Sequence, residues 1–322
     1  MKIIYFFIIS SINSFQFKPI NKPIHRLNRL KLKLYNKPDN NKFNSFLKLI
    51  RYKNIIPTIF LNFSGGWIVN PSINNIFSIS FIVTIINTIL IMSTSMILND
   101  LYDINIDKIN NPLRPLVTKS ITINEAKILI IFFLFLTEIL SFNYLNNNLI
   151  MITQLSIINI LLYTPILKKI TLIKNLSCAS LISFAPIYSG LSLGTNYNLL
   201  YILSEIIFLG SLYNEILLDI TDFEGDKYHN IYTIPVIFGK NKSYHFLMCI
   251  LFTNFLFCLF NITIMYNIIY GIILPILLIP FFIDLTKIKK SNYSDQNIKI
   301  VSNNTYIFML ISLFYLCVLR IS

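Results

Sequence analysis

Charge is scarce in this chain. Only 13% of its 322 residues are charged, against 55% hydrophobic, whereas a soluble domain carries about a quarter charged residues. That combination at this length excludes an ordinary soluble domain and indicates a polytopic membrane protein. Glycine is sparse, at 8 residues, while Ile, Asn and Lys are abundant. This bias reflects an AT-rich genome and carries no chemistry. The four cysteines, Cys178, Cys249, Cys258 and Cys317, all fall in apolar segments with no Cys-x-x-Cys spacing. They make no case for a disulfide or a thiolate metal site and read as small core hydrophobes. The three histidines, His25, His229 and His245, are scattered and form no ligand set.

What is present in excess is positive charge, a formal +13. Its distribution removes it as a functional clue. Residues 18–53 hold 11 of the 27 Lys and Arg with one acid, Asp39. From residue 54 onward, 15 basic residues face 13 acidic ones. The excess belongs to the N-terminal segment, so a nucleic-acid partner is not expected.

That segment reads as an address. Lys2 precedes an apolar run, Ile3–Ile9, and then Ser10, Ser11 and Ser14. This is a basic start, a short hydrophobic region and a small-residue cleavage zone, and the run is too short to span a bilayer. Phe15 and a basic, nearly acid-free stretch to about Lys53 follow. A signal followed by a transit-like segment resembles the bipartite leader of plastids acquired by secondary endosymbiosis. A mitochondrial leader and a plain secretory signal to an endomembrane are the alternatives. Residues 1–45 are expected to be this targeting leader, and 46–322 the functional domain.

Nine apolar segments are expected to be helices, near residues 54–70, 76–98, 127–145, 149–165, 174–194, 199–218, 243–260, 263–284 and 303–321. Each is close to the 17–25 residues that a spanning helix needs, and a backbone surrounded by lipid has no partner but itself. Loop charge supports the count. The connections near 71–75, 146–148, 195–198 and 261–262 contain no Lys or Arg, while 99–126, 166–173, 219–242 and 285–302 all do. Basic and non-basic loops alternate without exception, as one-sided retention of positive charge requires. The expected fold is an all-α membrane protein with nine transmembrane helices.

Only 14 residues are acidic, and seven of them lie in two short stretches. The first runs Asn99-Asp100-x-x-Asp103-x-x-x-Asp107 and the second Asp219-x-x-Asp222-x-Glu224-Gly225-Asp226. Both have the form Asp-x-x-Asp-x-x-x-Asp, and both begin where an apolar segment reaches the basic side. On an unbroken helix, positions i, i+3 and i+7 share one face, and three carboxylates there repel unless a cation shares them. Gly225 is expected to end the second helix just as Asp226 is reached. Six oxygen donors with no Cys or His nearby suit Mg²⁺, which commonly bridges one or two carboxylates to substrate phosphates. The candidate metal ligands are Asp100, Asp103, Asp107, Asp219, Asp222 and Asp226, with Asn99 as a neutral oxygen donor.

These stretches resemble the UbiA-type membrane prenyltransferase family from about Arg51 to Arg320. Asn99, Asp100, Asp103 and Asp107 match its first motif, with Asn111-Pro112-Leu-Arg114-Pro115 after it. Asp219, Asp222 and Asp226 match its second, followed by Thr233-Ile-Pro235 and Phe238-Gly239. Tyr163-Thr-Pro165-x-Leu167-Lys168 resembles a further family segment. The resemblance implies a helical bundle around a central cavity and Mg²⁺-dependent transfer from a prenyl diphosphate, geranylgeranyl, phytyl or longer. The acceptor it implies is aromatic, chlorin or polar lipid, as in quinone, tocopherol, chlorophyll or ether-lipid synthesis.

In that reading, the catalytic aspartates hold the metal, and Arg114, Lys168 and Lys227, all on the basic side, bind non-bridging phosphate oxygens. Tyr163 lines the diphosphate site. Arg51 and Asn54, where the first segment enters, stand where the family often contacts the acceptor. No general base is named. The stretch from Glu215 through Asp219 to Lys227 and Pro235 most resembles the ether-lipid branch, and also the plastid chlorophyllide and homogentisate enzymes. A different class, a transporter using Asp clusters as cation sites, is disfavoured because such sites lie at midplane on broken helices.

Overall fold

A computed structural model of the chain describes residues 41–194, 198–228 and 231–321. Among them there is no strand. The leader expected over residues 1–45 lies almost wholly outside the described residues. A first helix, α1 (Lys42–Leu49), straddles its expected end, and its last residue Leu49 is fully buried.

Apart from a single turn at Ile73–Ile76, the α-helices that follow are α2 (Ile55–Val69), α3 (Ile79–Tyr102), α4 (Ile104–Asn110), α5 (Ile123–Tyr144), α6 (Asn147–Tyr163) and α7 (Ile173–Leu191). After them come α8 (Asn198–Thr221), α9 (Phe223–Tyr228), α10 (Ile234–Phe238), α11 (Lys240–Met265), α12 (Ile268–Lys290) and α13 (Asp295–Leu319). Each of the nine expected segments coincides with a helix of 15 or more residues. Five are long and apolar enough to cross a membrane by length and composition: α3, α8, α11, α12 and the stretch Gln296–Leu319 of α13. Helices α2 and α6 have 15 and 17 residues, short for a bilayer some 30 Å thick.

Local sequence sets the helix boundaries. Thr122 and Glu125 form a reciprocal capping box at the start of α5. Asn146 caps α6 and Asn267 caps α12, each side chain accepting from backbone amides of the first turn. Both asparagines stand in very short connections without basic residues.

The outer surface is apolar. Ile128, Phe132 and Phe135 on α5, Ile276 and Ile279 on α12, and Phe314 on α13 are all exposed, which suits a lipid surround rather than water. Helix α8 lies at the centre, packed on α2, α7, α11 and α13, and Leu199, Leu203, Ile206, Ile216 and Leu217 along it are fully buried. A second cluster joins Leu49, Ile97, Ile130 and Ile157 of α1, α3, α5 and α6. Helices α2 and α7 cross with backbones in contact: a Cβ on Gly65 would stand 2.1 Å from the Pro186 carbonyl oxygen.

The loops carrying the basic residues meet at one end of the bundle. Lys168 reaches Asp103 and Asn99, Thr171 Oγ1 donates to the Tyr232 carbonyl, and Tyr293 Oη donates to Asn241. At the other end Arg320 Nε donates to the Ile68 carbonyl at 2.7 Å.

Candidate active site

The two acidic motifs fold alike. In the first, α3 ends at Tyr102, Asp103 stands at the break with φ −91° and ψ 6°, and α4 resumes at Ile104. In the second, α8 ends at Thr221, Asp222 stands at the break, and α9 begins at Phe223. In each, the amide of the third aspartate donates to the carbonyl of the middle one at 2.8 Å, Asp107 to Asp103 and Asp226 to Asp222. The expected unbroken face is therefore replaced by a helix, a hinge residue and a short second helix. Gly225 lies inside α9 and does not end α8, which stops earlier at Thr221. The reason is local: a middle aspartate that ends one helix and starts the next needs no glycine there.

Four basic side chains answer the acids. Arg114 Nη1 donates to Asp100 Oδ1 at 2.6 Å and to Asp107 Oδ2 at 2.7 Å. Arg51 Nη2 approaches Asp100 Oδ1 at 3.4 Å. Lys168 pairs with Asp103 and also donates to Asn99 Oδ1 at 3.2 Å. Lys174 pairs with Asp219 Oδ1, and Asn175 Nδ2 donates to Asp219 Oδ2 at 2.8 Å. Asp100, Asp107 and Asp219 are each only 3% exposed, so these are interior pairs, and removing one partner strands a charge.

Arg51 reaches the first motif through Asp100. Its backbone is left-handed, with φ 51°, a conformation costly for a residue with a side chain and typical of functional positions. Leu172, just before Lys174 and Asn175, has φ 67°. Two strained residues thus deliver three of the side chains that meet the acids.

Burial pushes the Asp107 carboxyl up to about 6, against the pull of Arg114. Burial pushes Asp226 up to about 6 likewise, against the pull of Lys174. The protein's own cations therefore leave these two acids short of positive charge. One oxygen of Asp226, Oδ2, is buried without a hydrogen-bond partner.

The other expected residues fall as follows. Asp222 is exposed at its hinge. Tyr163 ends α6 beside Cys178 of α7 and near Glu215 and Asp219. Lys227 is exposed, with Nζ 5.8 Å from the centre of the Phe223 ring. Asn54 is exposed in the short turn before α2, and its carbonyl accepts from Thr58 Oγ1. The acidic pairs thus include Arg51, Arg114 and Lys168 but neither Asn54 nor Lys227. Lys174, Asn175 and Lys48 were not expected. Lys174 and Asn175 are a basic–amide pair opening an otherwise apolar run, which reads as a span flank, so the sequence carries no separate signal for them.

A cavity of about 440 Å³ opens beside the first motif, lined by Lys48, Arg51, Asp100, Arg114 and the Asn111–Pro115 turn. Three of its eight lining residues are cationic.

Helical bundle, paired acidic hinges and basic cap together form the frame of a membrane-embedded prenyl-transferring enzyme. The UbiA prenyltransferase family matches residues 56–313, and the chain belongs to that family: it is a prenyltransferase with the all-helical UbiA fold. It is similar to the digeranylgeranylglyceryl phosphate synthase of Methanococcus maripaludis, 30% identical over 277 residues, covering 83% of this chain and 97% of that one. It is also similar to the enzyme of that name from Saccharolobus solfataricus, 30% identical over 196 residues, 60% and 69% of the two chains. A solved structure concerning digeranylgeranylglyceryl phosphate synthase in membranes superposes with a TM-score of 0.68 at 26% identity, over 87% of this chain and 99% of that one. A UbiA homologue from Archaeoglobus fulgidus, solved with GPP and Mg²⁺, shares the fold with a TM-score of 0.60 at 20% identity, over 84% and 99%.

Proposed function

We propose that this prenyltransferase moves a prenyl chain from an isoprenoid diphosphate to a hydroxyl group of a phosphate-bearing polar lipid, as in ether-lipid synthesis. The observation that carries this reading is the cavity beside the first motif. Lys48, Arg51 and Arg114 line it against a single acid, Asp100, with Arg114 shared between this cavity and the diphosphate. A wall with that balance favours a multiply charged anionic head group. The relatives' name, digeranylgeranylglyceryl phosphate synthase, supports the same acceptor over a quinone, tocopherol or chlorophyll precursor.

Mg²⁺ fits the donor set by its chemistry. Asp100, Asp103, Asp107, Asp219, Asp222 and Asp226 offer only oxygen, Asn99 adds a neutral one, and the buried Asp226 Oδ2 awaits a partner. Among the described residues no three Asp, Glu, His or Cys side chains converge as a metal cage. This accords with an ion that takes one or two carboxylates and completes its shell with phosphate and water. When bound, Mg²⁺ neutralises the charge gathering on the departing diphosphate.

The chain's own residues then have separable tasks. Arg114 and Lys168 hold non-bridging phosphate oxygens, with Lys227 at the outer edge of the same face. Arg51, with Lys48 and the neighbouring Asn54, orients the acceptor head. Tyr163, at the inner edge, shields the allylic carbon from water and offers it an aromatic face. The C–O bond to diphosphate breaks with its electron pair on the leaving oxygen, and the acceptor oxygen takes its place on carbon.

All nine long helices are read as spanning, around a central chamber closed by the basic loops. Residues 1–45 are read as the leader, and a plastid membrane as the destination; a fluorescent fusion of that segment tests the address.

The test of function is purified protein with Mg²⁺ and labelled geranylgeranyl diphosphate, offered geranylgeranylglyceryl phosphate, homogentisate, chlorophyllide, dihydroxynaphthoate and hydroxybenzoate. Product with the glyceryl phosphate is expected. Product with an aromatic or chlorin acceptor alone refutes the lipid assignment.

A further inference from the structure

We infer that Thr233 belongs to the diphosphate–Mg²⁺ site, where its hydroxyl stands beside Asp226 as the neutral oxygen donor of the second motif. The inference rests on the Mg²⁺ reading above and extends the site beyond the two motifs.

The first motif carries a neutral oxygen of its own, Asn99, immediately before Asp100. The same place in the second motif, immediately before Asp219, is held by Leu218, which offers none. A neutral donor for that half of the site has to come from elsewhere in the chain.

After α9 the backbone turns back on Asp226. The amide of Ile231 donates to the Asp226 carbonyl at 2.8 Å, and the amide of Thr233 donates to the Ile231 carbonyl at 3.0 Å. Thr171 Oγ1, just before α7, donates to the Tyr232 carbonyl. The turn is thus tied to the helix whose first residues place Lys174 and Asn175 on Asp219. In this arrangement the Thr233 side chain faces the Asp226 carboxyl.

Thr233 is 2% exposed, and its Oγ1 is buried without a hydrogen-bond partner, as is Asp226 Oδ2. Neither atom satisfies the other. Among the described residues from Asp219 to Gly239, no other side-chain oxygen is stranded in this way. Thr233 also has an ordinary task that it does not perform. It holds the position before α10, where a threonine hydroxyl normally accepts from an amide of the first turn, as Thr122 does for α5. Thr233 makes no such bond. A buried hydroxyl without a partner is costly, and capping would have removed that cost.

The chemistry of the two oxygens points to their occupant. A carboxylate oxygen only accepts, and a hydroxyl accepts as well as donates. A hydrated divalent cation brings positive charge to Asp226 and O–H donors to both atoms. A hydroxyl is also a hard oxygen, as compatible with Mg²⁺ as the carboxylates are.

The test compares full-length wild type in nanodiscs with Thr233→Val, which keeps the shape and removes the hydroxyl, and Thr233→Ser, which keeps the hydroxyl. Two quantities are read: Tm without Mg²⁺, and the Mg²⁺ concentration that half-saturates binding of a non-cleavable geranylgeranyl diphosphate analogue. T233V is expected to keep or raise its Tm without Mg²⁺, since a methyl replaces a stranded hydroxyl, and to need about tenfold more Mg²⁺. T233S should stay within about threefold of wild type, because the donor and acceptor remain. An unchanged Mg²⁺ requirement in T233V would overturn the inference and leave an ordinary buried water as the occupant. A T233V protein that loses Tm without Mg²⁺ yet binds the analogue as wild type does would overturn it too, since the hydroxyl would then be structural. If T233V does not fold, Thr233→Ala carries the same comparison. Wild type binding the analogue equally well without Mg²⁺ would refute the Mg²⁺ reading itself, a failure seen without any variant.

Discussion

Lys174, in the first turn of α7, is paired inside the protein with Asp219, in the last turn of α8. Those two helices are also among the most closely packed in the bundle. The pair therefore ties the second acidic motif to the scaffold while supplying its counter-charge. Replacing Lys174 by Met strands the Asp219 carboxylate with Asn175 alone. The expected cost is about 1–3 kcal/mol of stability, read as a lower Tm in detergent without Mg²⁺. Mg²⁺ with a non-cleavable prenyl diphosphate analogue should recover part of that loss by restoring positive charge. No recovery would count against a metal site at Asp219.

Asp103 and Asp222 occupy matching hinges, each the carbonyl partner of the third aspartate in its motif. Asp103→Ala and Asp222→Ala should each reduce turnover by about 100-fold or more, the scale of losing one electrostatic stabiliser of the transition state. Membrane insertion should be unchanged, because the backbone bond of each hinge survives the substitution, although Asp103→Ala leaves Lys168 with Asn99 alone and should lower Tm. Activity within a few-fold of wild type in either variant would remove that residue from the metal site.

A single Arg114 nitrogen serves both Asp100 and Asp107. Lysine at this position keeps the charge but not the planar fork. Arg114→Lys is expected to lower kcat/KM for the prenyl diphosphate by about tenfold, and Arg114→Ala by more, through loss of a charge-assisted pair worth about 1.5–3 kcal/mol. Equal activity of R114K and wild type would show that Arg114 only balances charge.

The helices were legible because lipid leaves long apolar runs one solution, and the alternation of loop charge orders them. The acids were legible because so few exist elsewhere in the chain. The hinges at Asp103 and Asp222 were not, since no proline or glycine marks them and the third aspartate continues an i to i+4 bond. Lys174 was hidden for a related reason. A lysine opening an apolar run reads as a flank, and only the approach of α7 to α8 turns it toward Asp219. Asn54 and Lys227 show the converse: residues singled out by sequence whose side chains are exposed and stand outside the acidic pairs.

Gly65 tests the scaffold separately from the chemistry. A Cβ there would lie 2.1 Å from the carbonyl oxygen of Pro186 and 2.6 Å from its Cα. Those atoms are backbone and cannot rotate away, so α2 and α7 must part to admit any side chain. Pro186 sits inside α7, the helix that brings Lys174 and Asn175 to Asp219, while α2 follows directly on Arg51. Separating them disturbs both halves of the candidate site at once. Gly65→Ala is expected to cost about 1–3 kcal/mol, the usual range for overpacking, and Gly65→Val more. The readout is thermal unfolding in detergent alongside donor affinity. The two should fall together, whereas the variant of the exposed Asp222 should lose turnover without losing Tm. A Gly65→Ala protein as stable as wild type would mean that the two helices do not cross in contact here.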